Sequence, residues 1–147
     1  MVESLAFINM RLQGARELLH TTHDYIKWQA PLDIQRMNPQ EIYKVSCEAM
    51  RVTIRMTQIM AWLLLQKSIL SGELSREESL SEEYRVLRGN QCLESASETD
   101  EDLPPRLREL LKESRDLYVR ILRLDKISRT QNFSVPPSHK GTLSSVQ

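Results

Sequence analysis

Glycine is scarce in this 147-residue chain: there are 4, beside 6 prolines. That is too few for a turn-rich β-sandwich or a phosphate-cradling loop protein, and it leaves helices as the favoured element. Two cysteines, Cys47 and Cys92, lie far apart without a CxxC or a secretory framework, so reduced thiols are expected. Aromatic residues make up 5% of the chain. The longest apolar run, 59–65, falls well short of the ~20 residues that span a bilayer. The first twelve residues, MVESLAFINMRL, lack the basic and apolar regions of a signal peptide. No membrane association and a cytoplasmic location are the expectation.

Charge of one sign is also lacking: 20 Lys and Arg balance 20 Asp and Glu. A neutral chain has no general attraction to nucleic acid or anionic lipid. The balance is uneven along the chain. Residues 73–102 are strongly acidic and 103–129 basic, a pattern that suits solvated helix faces or docking between segments or subunits.

Apolar periodicity is what the chain has in quantity. Leu5, Ile8, Leu12, Ala15, Leu19 and Ile26 mark a first helix over 3–28, which Ala30-Pro31 should stop. Asn38, Pro39 and Glu41 form an N-terminal signature for a second helix. There Ile42, Val45, Ala49, Val52, Met56, Ile59 and Leu63 recur at 3-4 spacing, and a second row with Tyr43, Met50, Ile54, Ala61 and Leu64 widens the apolar face. That helix should be central, buried nearly all round, and should end at Ser71-Gly72. Ser75 to Glu78 reads as a capping box opening a short helix to residue 88. Residues 89–102 read as a mobile acidic loop. A last helix starts at Leu103-Pro104-Pro105 and carries a heptad row from Leu107 to Ser128. The expected fold is all-α: an antiparallel three-helix bundle over 1–128 with a short extra helix, dimeric, and a disordered tail over 129–147.

Candidate chemistry is thin. His20 and His23 stand at i and i+3, a spacing that can hold a metal, yet the remaining histidine is His139 in the tail. Ordinary helix-end histidines are the expectation, with no metal and no cofactor. Nucleotide-binding, nucleophile-elbow and zinc-protease motifs do not occur, so a non-enzymatic protein is expected. The basic last helix carries acids at intrahelical pairing distance, Glu109, Glu113, Asp116 and Asp125, which leaves a nucleic-acid-associated regulator as the alternative reading.

The most pointed feature lies on the second helix. Glu48, Arg51, Arg55, Gln58 and Trp62 fall on one polar line, between Lys44 and Gln66. They suit a polar dimer seam or a partner-binding strip, since Arg and Trp dominate binding hot spots. Around them, 48–67 reads EAMRVTIRMTQIMAWLLLQK and 71–75 reads SGELS. This stretch resembles the alphaproteobacterial regulator of CtrA degradation family, also known as a domain of unknown function. The resemblance continues more weakly through Leu103-Pro104 and 117–125 and covers roughly 40–128. It departs at 28–31, where the family has a glycine-containing segment, and at Ala49, where serine is common. The resemblance implies a homodimeric helical adaptor that helps a primed AAA+ protease capture protein cargo among cell-cycle regulators.

Overall fold

The computed structural model describes residues 4–133. Among them every regular element is helical: α1 Leu5–Asp24, α2 Ala30–Asp33, α3 Pro39–Leu70, α4 Arg76–Ser79 and α5 Pro105–Phe133, with single turns between. No helix among the described residues is long and apolar enough to cross a membrane.

The Ser4 hydroxyl caps α1 by accepting from the Phe7 amide at 3.2 Å. Ile8, Leu12 and Ala15 are buried as their spacing predicts, and Thr22 and Tyr25 continue the stripe. The helical path does not stop before Pro31. A π turn over Tyr25–Gln29 lets the Ala30 amide reach back five residues to the Tyr25 carbonyl, and α2 and a 3-10 turn over Ile34–Arg36 follow. Pro31 has no amide to donate, and in the first turn of the new helix none is needed. Tyr25, three residues after Thr22 and still held by an α-helical bond to Thr21, is buried where Ile26 was expected, and Ile26 is exposed.

α3 starts and stops as its sequence predicts. Asn38 accepts from the Glu41 amide at 2.9 Å, and Pro39 occupies the first turn. At the far end the Glu73 amide reaches the Ser68 carbonyl and the Gly72 amide that of Ile69, with Gly72 at φ +82°. Only a glycine takes that left-handed cap without strain. α3 packs against both α1 and α5, and one hydrophobic cluster joins the three through Leu12, Val52, Met56, Ile59, Leu63, Leu107, Leu110 and Ile121. It is not buried all round, however. Tyr43, Met50, Ile54 and Leu64, the row expected to widen its buried face, are exposed.

Three further expectations change. The capping box at Ser75 is present, but α4 ends at Ser79. A 3-10 turn over Glu82–Tyr84 replaces the rest of the predicted helix, because Leu80, Tyr84 and Leu87 make too narrow a stripe to hold it against the competing polar contacts of 85–88. Residues 89–102 are not an irregular loop. They form 3-10 turns over Asn90–Leu93 and Ala96–Thr99 and lodge Cys92 in the core. Finally, α5 continues past the domain boundary expected at 128. Arg129 pairs with Asp125 one turn back at 3.1 Å. The rest of the expected disordered tail, 134–147, lies outside the described residues.

Candidate functional site

The polar line of α3 faces the chain itself. As the numbers rise along α3, those of its partners fall along the segment 88–100, so the segment runs antiparallel over the helix. Lys44 Nζ lies 2.6 Å from Asp100, and Arg51 bonds both Glu48 and Glu94 at 2.9 Å. Gln58 brackets the backbone of Arg88, donating to its carbonyl at 2.8 Å and accepting from its amide at 3.0 Å. Trp62 donates from Nε1 to Asp125 on α5 at 3.0 Å.

Arg55 is at the centre and is 0% exposed. Its Nε donates to the Cys92 carbonyl at 2.8 Å, Nη2 to the Glu94 carbonyl at 2.6 Å, and Nη1 to the Leu111 carbonyl at 2.9 Å and Ser114 Oγ at 3.2 Å. These four acceptors are neutral. A rigid fork of donors can join three pieces of chain in this way, and lysine cannot. Burial, then the neighbouring Arg51 charge, lowers the Arg55 pKa. Arg115 adds a bond to the Leu93 carbonyl at 2.8 Å.

Glu48, Arg51, Arg55, Gln58 and Trp62 therefore do not form an exposed strip. Glu48, Arg55 and Trp62 are buried, and each of the five has a partner within its own chain. Arg55 meets the carbonyls of 92–94 and of α5 rather than a carboxylate. The signal that could have placed the segment was charge: basic positions on one helix line match Glu94 and Asp100 in the acidic stretch.

Two groups beside the seam, Tyr118 and Cys92, shift in the same direction. Burial, then the Cys92 thiol, raises Tyr118 from 10.0 to about 12, and its hydroxyl donates to Gln58 Oε1 at 2.9 Å. Burial likewise raises the Cys92 thiol. Both protons are held more tightly folded than unfolded, so their contribution is complete below the ordinary pKa and is lost as pH rises through the folded one. The urea midpoint should fall between about pH 10 and 12, and Tyr118→Phe should remove part of that slope. A slope unchanged in Tyr118→Phe would mean that this hydroxyl does not carry the effect.

His20 and His23 both lie beside Asp24, at 3.5 and 3.9 Å, with side chains well exposed. Among the described residues no group of three or more His, Cys, Asp or Glu is placed to hold a metal. An open cleft of about 630 Å³ separates the π turn from the start of α5, with Trp28 and Arg106 on its walls. Its Asp33 is already engaged by the Tyr25 hydroxyl at 3.1 Å and Gln29 at 2.9 Å.

The family model described as protein of unknown function (DUF1465) matches residues 4–142. The chain belongs to that family. The match takes in α1, the π turn, the Arg55 seam and α5, the whole of the architecture described above. No curated protein and no solved structure matches the chain.

Proposed function

We propose that this member of the family is a non-enzymatic, homodimeric adaptor, an antiparallel three-helix bundle that brings a primed AAA+ protease and its protein cargo together. The observation that carries a protein-binding role is apolar surface left in water on a small domain. Tyr43 is 73% exposed, Met50 63% and Trp28 66%, and Met10 and Leu32 are similarly open. Tyr43 and Met50 stand seven residues apart on one face of α3, and an apolar patch left on a surface marks a contact with another protein. The proteolytic setting, and cell-cycle regulators as cargo, rest on the resemblance of 48–67 and 71–75 to the regulator of CtrA degradation family.

A tether of this kind needs two modest surfaces on one rigid body, because linking them raises the effective concentration of cargo at the protease. The Arg55 seam supports the rigidity, since it fixes the connection between α3 and α5 to both helices. A nucleic-acid role would have to use the other bases of α5, because three of the eight are engaged within the chain: Arg106 with Glu109, Arg115 with the 93 carbonyl and Arg129 with Asp125.

The test is a reconstituted degradation assay with the AAA+ protease, its priming factor and a cell-cycle regulator as cargo. Adding the chain should speed cargo loss by about tenfold or more when cargo is dilute, and the gain should shrink as cargo saturates the protease. A rate indifferent to the chain at every cargo concentration would sink the reading.

A further inference from the structure

The side chains on the outward face of α3 follow a pattern. From Tyr43 to Ser68 they recur at alternating intervals of four and three residues, a heptad row on the side away from the buried Val45, Val52 and Ile59. Tyr43, Met50, Ile54 and Leu64 in this row are 73%, 63%, 40% and 48% exposed. None of its positions is charged. On one flank Lys44 and Arg51 are drawn inward by Asp100, Glu48 and Glu94. On the other stand the uncharged Ser46, Thr53 and Met60, with Lys67 following them only at the C-terminal end.

The serine and threonine hydroxyls on this face ask for no outside partner. Ser46, Thr53, Thr57 and Ser68 donate to the carbonyls four residues back, at 2.9, 3.0, 2.8 and 3.2 Å. What α3 presents outward over 43–64 is a neutral strip about 32 Å long, at about 1.5 Å per residue. An exposed helix face without charge over such a length needs a cover.

We propose that the cover is the same face of a second copy, with the two α3 helices antiparallel about a two-fold axis between Ile54 and Thr57; this rests on the homodimer reading above. The row fits itself in that register. Tyr43 meets Ser68, Cys47 meets Leu64, Met50 meets Ala61 and Ile54 meets Thr57, each position of a pair facing the other across the axis. Every layer sets a larger side chain against a smaller one, which is how facing helices interdigitate without voids. A parallel pairing would stack Tyr43 on Tyr43 and Met50 on Met50, and leave Ala61 opposite Ala61. A two-fold contact requires a self-complementary surface, and a neutral row carries no charge that would select a different partner.

The register is read by cross-linking the full chain. Leu64→Cys, beside the native Cys47, should give a covalent dimer on mild oxidation, because the register brings the introduced thiol at position 64 of one copy to Cys47 of the other. The parent should give none: two Cys47 thiols would lie about 26 Å apart along the helices, and Cys92 is buried. Ile54→Glu, which places a carboxylate in the central layers, should shift the protein from dimer to monomer in sedimentation at micromolar concentration with helix content unchanged. A covalent dimer of the parent through Cys47, or a dimeric Leu64→Cys that does not cross-link, would overturn the antiparallel register. A dimer untouched by Ile54→Glu would move the interface to another surface while leaving the homodimer reading intact. A parent that sediments as a monomer would defeat both.

Discussion

Arg55→Met is expected to lower the unfolding free energy by about 3 kcal/mol, read as a urea midpoint lower by about 1.5 M at a slope of about 2 kcal/mol per M. Methionine fills much of the same space, so the loss reports the polar contacts rather than a cavity. The carbonyls of Cys92 and Glu94 lose their donors, and each buried acceptor left unmet costs about 1–3 kcal/mol. Leu111 is less affected, because Ser114 Oγ also donates to its carbonyl at 3.1 Å. Against these losses stands some relief, since the guanidinium is buried without a carboxylate among its bonded partners and its removal ends a desolvation cost. Arg55→Lys should fall between parent and methionine: the charge is kept, but one ammonium cannot span acceptors on two elements. Arg55→Glu would set an anion against three carbonyls. The sequence alone suggests that this substitution spares helix content, and burial reverses that expectation. A methionine variant with the parent's midpoint would show that water already serves these carbonyls.

The Arg55 seam also shows what sequence could and could not tell. Periodicity located α1, α3 and α5, because a buried stripe must repeat with the helix turn whatever it packs against. Caps fixed both ends of α3, since Asn38 and Gly72 act on backbone groups within a few residues. Both signals are local. The fate of the polar line was not local. A row of Glu48, Arg51, Arg55, Gln58 and Trp62 reads as a wet or partner-facing surface until it is known that 88–100 folds back over it. Nothing in that segment has an apolar period, because carbonyls rather than side chains supply the acceptors Arg55 uses. The π turn was hidden for a related reason. The preference against a helical residue before proline is a tendency, and a five-residue hydrogen bond from Ala30 satisfied the backbone by another route. The outward face of α3 was legible only in part. Apolar residues on both sides of one helix looked like burial on both sides, but a single chain covers one of them.

Two isoleucines on that helix should therefore respond differently to the same truncation. Ile59→Ala is expected to cost about 2–5 kcal/mol at any protein concentration. Ile59 is 0% exposed within the cluster that joins the long helices, so the lost methyl and methylene groups leave a cavity that the close-packed neighbours cannot fill. Ile54, five positions earlier and 40% exposed, has little to lose within one chain. Ile54→Ala should cost within about 0.5 kcal/mol at the lowest concentrations, where surface truncations usually lie. Its deficit should then grow as concentration rises, because the parent gains stability from self-association by mass action and the variant gains less. Thermal or urea unfolding across a hundredfold range of protein concentration reads both. Equal, concentration-independent losses at the two positions would place Ile54 inside the single chain's core and remove the outward row as a surface. A large loss at Ile59 with a deficit at Ile54 that stays near zero at every concentration would keep the core as described and take the second copy off that face.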